Sequence, residues 1–327
     1  MRVLLTGANG FVGSHVLDRL VAQQIPTVVL LRPHSDRRFI AGHEAQLTVR
    51  VGGFNDAASL DAALDGVTHV IHCAGATKAL GRADFFAVNQ LGTRKLIDAI
   101  NRRGNFIQRL LHVSSLAAAG PATADHPKRE SDTATPVSDY GASKLAAENE
   151  VRERCRCDWT IVRPPAVYGP RDREFLRLFH AVKAHLAPRF GGGRQQLTLV
   201  YVEDLAAAIV AALKHSGASR ETFFLGVAEV VTARELTDHV AAVSQRWTLP
   251  LPLPNAVLWL ACQWAECVTR ITEKANVLNA QKYAELSAAG WVCDVTKMKR
   301  VLDCECPTTV REGLATTHRW YQSQGWL

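Results

Sequence analysis

Tyr140-Gly-Ala-Ser-Lys144 sets a phenol and an ammonium four residues apart, a spacing that puts both on one face of a helix. A free tyrosine ionises near pH 10, and a neighbouring cation favours its phenolate, which suits the pair to general acid/base work. Y-x-x-x-K alone is also what an exposed helix surface carries. Ser114-Ser115 changes its weight, because the pair closes the apolar run that starts at Leu110. Ligand sites in open parallel α/β sheets gather at the carboxyl ends of the strands. A hydroxyl, a phenol and an ammonium in that order suit proton exchange with the oxygen of a small substrate.

A second chemical signal opens the chain. Gly7, Gly10 and Gly13 form G-x-x-G-x-x-G directly after the apolar run Val3 to Leu5, with Phe11 and Val12 starting an apolar-periodic stretch. Such glycines let the backbone approach a pyrophosphate at a helix N-terminus, so the segment predicts a dinucleotide site. Where a cofactor without a 2′-phosphate calls for an acidic residue at the end of the second strand, this chain has Arg32. A guanidinium pairs with a 2′-phosphate and offers no acceptor to a ribose hydroxyl. The expectation is therefore NADP(H), with NAD(H) as the alternative, and with Arg37 and Arg38 assisting from the following loop; an arginine that is simply exposed at a strand end is the plainer reading.

Strand and helix patterns alternate around these residues. Strands are predicted over 3–5, 27–31, 47–51, 69–73, 110–114 and 160–163, and helices over 11–21, 57–64, 85–100 and 138–154. This order predicts an α/β fold, a doubly wound parallel sheet covered on both faces. After Arg163 the prolines at 164, 165 and 170 and the glycines at 191–193 break the pattern; a short helix over 175–185, strands at 199–202 and 223–225 and mostly helical segments follow. We expect a nucleotide-binding unit over 1–168, with 197–226 returning to it, interwoven with a smaller, mostly helical C-terminal substrate lobe over 169–327.

Apolar residues make up 47% of the 327 and charged residues 21%, the balance of a folded globular protein. The net charge of +7 is spread in small clusters without interleaved aromatics, so no nucleic acid partner is expected. Eight cysteines at 73, 155, 157, 262, 267, 293, 304 and 306 lack zinc spacing. No metal is expected, and reduced thiols in the cytoplasm are. The stretch Asn255 to Ile271 follows three prolines and carries Trp259 and Trp264, but Gln263, Glu266 and Arg270 interrupt it. It reads as an amphipathic helix lining the substrate lobe or attaching to a lipid surface, and not as a membrane span.

The glycine loop, serine, tyrosine and lysine stand in the order of the short-chain dehydrogenases/reductases, and the chain resembles their extended branch, the NAD(P)-dependent epimerase/dehydratase relatives, over nearly its whole length. The matching segments are Thr6 to Gly13, His72-Cys-Ala-Gly75, Val88 to Thr93, Ser114-Ser115 before Gly120, Tyr140 to Lys144, Arg163-Pro164, Val167 to Pro170 and Tyr201 to Asp204. The resemblance implies a Rossmann fold with Tyr140 as acid/base and Lys144 lowering its pKa and holding the nicotinamide ribose. Ser115 would bind the substrate oxygen, and Asn89 would support either the active-site helix or a proton relay. Ala74 and Gly75 would let the cofactor pass the fourth strand, and Pro164 to Val167 would flank the nicotinamide. One departure concerns adenine: relatives carry Gly-Asp after the third strand, and here Gly52-Gly53-Phe54 leaves only Phe54 to pack on the ring. The resemblance also implies a homodimer through helices 85–100 and 138–154.

Two branches of this resemblance differ in substrate. Sugar-nucleotide enzymes carry an arginine for the nucleotide phosphates where this chain reads Leu197, and an aliphatic side chain cannot bind a diphosphate. Pro164-Pro165 also replaces their asparagine-containing segment. The pattern is closer to hydroxysteroid dehydrogenases and dihydroflavonol reductases. The expected activity is interconversion of an apolar ketone and its secondary alcohol, on a steroid-like, fused-ring or long-chain keto substrate. Leu258, Trp259, Leu260, Trp264 and the terminal Trp320, Tyr321 and Trp326 are candidates for its pocket or for core. A sugar-nucleotide epimerase or dehydratase is the alternative within the family, and a non-catalytic NADP-binding scaffold the alternative outside it.

Overall fold

The computed structural model describes residues 1–272 and 280–327. In chain order the first part runs β1 (Val3–Thr6), α1 (Phe11–Ala22), β2 (Thr27–Leu31), β3 (Leu47–Val51), α2 (Ala57–Ala63), β4 (His69–His72), α3 (Arg82–Phe85), a π-helical turn (Phe86–Leu91), α4 (Gly92–Arg102), β5 (Arg109–Val113), α5 (Leu116–Ala119), α6 (Asp139–Arg154), β6 (Asp158–Arg163) and β7 (Ala166–Tyr168). It continues with α7 (Glu174–Lys183), β8 (Leu186–Phe190), β9 (Gln196–Tyr201), α8 (Val202–Lys214), β10 (Glu221–Phe224), β11 (Val230–Thr232), α9 (Ala233–Val243), β12 (Leu249–Leu253) and α10 (Asn255–Thr272). After the gap come α11 (Ala280–Ser287), β13 (Gly290–Trp291), α12 (Thr296–Leu302) and α13 (Val310–Ser323).

Seven strands form one parallel sheet in the order β10-β6-β5-β4-β1-β2-β3. β1, β2 and β5 are buried at every position, which is why β1 and β2 read as near-continuous apolar runs and not as alternating ones, while β5 buries Arg109 and His112 among its apolar residues. One core packs α1 and α8 on the first face of the sheet, through Val16, Leu17, Leu205 and Ile209. A second packs α2, α4 and α6 on the other, through Leu60, Leu96, Ile97 and Val151. Strand order reverses between β1 and β4, so the carboxyl ends of those two strands open a crevice where such sheets bind ligands.

The predicted strand near 199–202 exists but pairs elsewhere. β9 joins β7, β11 and β13 in a smaller sheet, whereas α8 and β10 rejoin the large sheet. Periodicity identifies a strand and not its neighbours. The helix predicted over 85–100 is divided by the π-turn around Asn89. The lobe has its own core, in which Tyr321 is fully buried, stacked on Trp326 and edge-on to Phe179; these terminal aromatics are core and not pocket. Trp259, Leu260 and Trp264 do not line the cavity described below either. They point outward from α10, while Leu258 is buried. The side chains of Glu266, Cys267 and Arg270 lie outside the described residues.

Candidate active site

β5 and α6 deliver the serine, tyrosine and lysine to one place. The Ser114 amide donates to the Val162 carbonyl at 2.8 Å, which ends β5 against β6. Ser115 then caps α5, its Oγ accepting from the Ala117 amide at 3.1 Å. Ser138 caps α6 by accepting from the Gly141 amide at 3.1 Å. Gly141 allows the contact that matters: a Cβ there would sit 2.3 Å from the Ala117 carbonyl oxygen, so only glycine lets the start of α6 press against α5. That contact brings Tyr140 within hydrogen-bonding reach of Ser115.

Burial pushes the Tyr140 phenol up to about 12, the bond from Ser115 lowers it, and the Glu285 carboxylate raises it. Lys144 Nζ donates to the Val113 carbonyl at 2.6 Å, at the end of β5. Burial lowers Lys144 to about 8, against the upward pull of Glu148 and Cys73. Glu148, one turn along α6, is fully buried and belongs to a tight cluster. Arg163 donates to both its oxygens at 2.9 and 2.7 Å, Arg152 donates at 2.7 Å and the Ser114 hydroxyl at 2.5 Å. Burial pushes the Glu148 carboxyl up, but the two guanidiniums outweigh it and hold it below the usual carboxylate range.

Asn89 lies buried on the π-turn. Its Oδ1 accepts from the Ala76 amide at 2.8 Å, and its Nδ2 donates to the Ala76 carbonyl at 3.0 Å and to Ser143 Oγ at 2.9 Å. It therefore clamps the loop after β4 to α6 beside Lys144.

The glycine loop fits a dinucleotide. A Cβ on Gly13 would fall 2.0 Å from the Gly7 carbonyl oxygen, so α1 can start this close to the loop only with glycine. Gly10 precedes the helix with no side-chain cap, and the first turn, including Phe11 and Val12, holds no acidic residue. Its amides are thus presented to an anion. Ala74 and Gly75 follow β4 beside the loop, with the Ala74 amide donating to Thr6 Oγ1 at 3.3 Å. Arg32 is exposed just past β2 and pairs with no carboxylate among the described residues, whereas Arg37 meets Glu44 at 3.5 Å and Arg38 meets Asp36 at 2.6 Å. Phe54 packs on Gly92 and edge-on to His72, with ring centres 5.4 Å apart. Pro164 is buried, its carbonyl accepting from the Leu116 amide at 2.9 Å, and Val167 rests on the large core.

A cavity of about 380 Å³ opens over Ser115 and Tyr140. Leu116, Ala117 and Pro165 continue its wall beside the ends of β5 and β6, and Ala166 of β7 with Gln195, Leu197, Glu285, Leu286 and Trp291 closes it from the smaller sheet and the lobe. Gln195 Nε2 donates to the Glu285 and Ala288 carbonyls at 2.8 and 2.9 Å, and Trp291 Nε1 donates to the Glu285 carbonyl at 2.9 Å, which fixes the end of α11 against β9. Lys78 and Glu174, also on the wall, form an ion pair that joins the loop after β4 to α7. Apart from Leu197, sequence reasoning missed the lobe side, because isolated residues in loosely patterned segments carry no spacing signal.

A Rossmann sheet with this serine, tyrosine and lysine at the carboxyl ends of its strands defines an extended short-chain dehydrogenase/reductase. The chain belongs to the NAD-dependent epimerase/dehydratase family, whose model matches residues 3–226. It is 29% identical to the ceramide reductase of Caulobacter vibrioides, over 99% of this chain and 96% of that one. It is 27% identical to a 3 beta-hydroxysteroid dehydrogenase/Delta 5→4-isomerase of Mycobacterium tuberculosis, over 98% and 90%. The structure of DesIV, a dTDP-glucose 4,6-dehydratase from Streptomyces venezuelae with NAD bound, superposes with a TM-score of 0.81 over 100% of this chain and 98% of that one; at 24% identity this likeness concerns the fold. The chain is thus an NAD(P)-dependent enzyme of this family.

Proposed function

We propose that the protein is an NADP(H)-dependent oxidoreductase that interconverts an apolar ketone and its secondary alcohol. The observation that carries this reading is the lobe wall of the cavity, where Leu197, Leu286 and Trp291 face the Ser115 and Tyr140 hydroxyls and no arginine lines the cavity among the described residues. The apolar substrates named for the ceramide reductase and the hydroxysteroid dehydrogenase support it.

The bound nicotinamide would supply or accept hydride at the carbonyl carbon. Ser115 would donate a hydrogen bond to the substrate oxygen, and Tyr140 would hold the proton that this oxygen gains on reduction or loses on oxidation. Lys144 is an ammonium below pH about 8, and in that form it would favour the phenolate left when Tyr140 gives up its proton. Gly7, Gly10 and Gly13 would take the pyrophosphate, and the unpaired Arg32 the 2′-phosphate. Val88 and Leu91, 43% and 41% exposed on the π-turn, support pairing of two copies through this turn, α4 and α6.

Following NADPH absorbance with steroid ketones, long-chain keto lipids, flavonoid-like ketones and nucleotide sugars tests the substrate class. Net oxidation of NADPH by an apolar ketone is expected. Conversion of nucleotide sugars alone, without net NADPH consumption, would make the chain an epimerase or dehydratase. In the same assay NADPH should be preferred over NADH, and Arg32→Glu should shrink that preference by about tenfold, the loss of one charge-assisted contact. Equal use of both cofactors by the unaltered protein removes the role given to Arg32.

A further inference from the structure

The first half of α10 is apolar on its outer face as well as on its buried one. Leu258, Cys262 and Ala265 are its buried face, while Val257, Trp259, Leu260 and Trp264 face outward, with Leu260 60% and Trp264 73% exposed. The edge strand β12, which leads into α10, adds Leu249 at 60% exposure, and Trp247 just before it is 64% exposed. β12 pairs with β8, whose Leu186 is also exposed. A surface helix ordinarily turns its polar side to water, and a contiguous apolar patch of this kind marks a contact surface.

Charge indicates what makes the contact. Residues 175–202 and 239–265, which include β8, β9, β12 and this half of α10, contain no aspartate or glutamate, yet carry Arg177, Lys183, Arg189, Arg194 and Arg246. Arg177 and Arg189 meet Glu174 and Asp238 from outside these stretches. Lys183, Arg194 and Arg246 are exposed and meet no carboxylate among the described residues. Tryptophan and leucine beside unpaired cations match the boundary of an anionic bilayer, where indole rings settle at headgroup level and cations meet lipid phosphates. Self-pairing about a two-fold axis would set like charges against each other within the face. No helix among the described residues is long and apolar enough to cross a membrane, so the contact is with its surface.

We propose that β8, β12 and the first half of α10 form a docking face for the surface of an anionic lipid bilayer. The face adjoins the cavity. β8 runs through the turn at 191–193 into Gln195, and α10 packs on α11, which carries Glu285 and Leu286. A substrate dissolved in lipid would then have a short path to Tyr140. Docking itself does not depend on what the substrate is, and it is read without turnover.

The test is flotation of the full chain with phosphatidylcholine vesicles, with and without phosphatidylglycerol. Binding to the anionic vesicles should exceed binding to the neutral ones by about tenfold or more and should fall with added salt. Leu260→Ser with Trp264→Ser should abolish flotation, and Lys183→Gln with Arg246→Gln should remove only the preference for anionic vesicles. These are outward-facing positions, and an unchanged thermal midpoint confirms that the variants are folded. Failure of the unaltered protein to float with anionic vesicles overturns the proposal, as does undiminished flotation of the Leu260/Trp264 variant. Sedimentation of the unaltered protein as a dimer that this variant converts to monomer would assign the face to a second copy and also overturn it.

Discussion

The two walls of the cavity are built on different principles. Ser115, Tyr140 and Lys144 stand on a strand end and a helix that are locked from behind by the buried Glu148–Arg163 pair and by the Asn89 clamp. The lobe wall opposite is assembled from single residues of β9, α11 and β13, tied by hydrogen bonds to main-chain carbonyls near Glu285. On the proposed reading the first wall holds protons in place, and small displacements there would cost rate. The second offers shape and polarity, where a change alters which molecule fits. On the proposed reading, the reaction and the substrate are carried by separate parts of one chain.

The most direct way to break this contrast is Tyr140→Phe. Removing the proposed acid/base while keeping the ring should lower kcat by about 10²–10⁴-fold and leave NADPH affinity, read by fluorescence titration, within about threefold. Unchanged turnover would move the chemistry away from α6.

Glu148→Gln probes the support behind the same wall. Because Glu148 raises Lys144 against burial, its loss should move the alkaline limb of the kcat profile to lower pH than in the unaltered protein, as the ammonium deprotonates earlier. Loss of the carboxylate also strands Arg163, at a cost of about 3–5 kcal/mol that a denaturant titration will report. A destabilised enzyme with an unmoved limb would make Glu148 a purely structural residue.

The smallest effect is expected on the other side of the cavity. Trp291→Ala removes an apolar wall and the bond to the Glu285 carbonyl, and should raise KM for the ketone proposed as substrate by about tenfold with little change in kcat, the signature of lost uniform binding. A fall in kcat as large as that of Tyr140→Phe would erase the distinction between the walls.

Much of the reacting half was legible before any coordinates, because its constraints are local. The spacing of Gly7, Gly10 and Gly13, of Tyr140 and Lys144, and the apolar runs of β1 and β2 each follow from a backbone turn, a helical repeat or burial on both faces. The chain's membership in its family was legible for the same reason. Tertiary structure decided what depends on distant partners: that β9 leaves the large sheet for the lobe, that Lys144 turns to the Val113 carbonyl while burial governs Tyr140, and that Gln195, Glu285 and Trp291 close the cavity. It also decided that the terminal aromatics fill the lobe core, whereas Trp259, Leu260 and Trp264, equally apolar in sequence, face outward. Periodicity records which residues share a face; which face is buried is settled only when the rest of the chain packs against it.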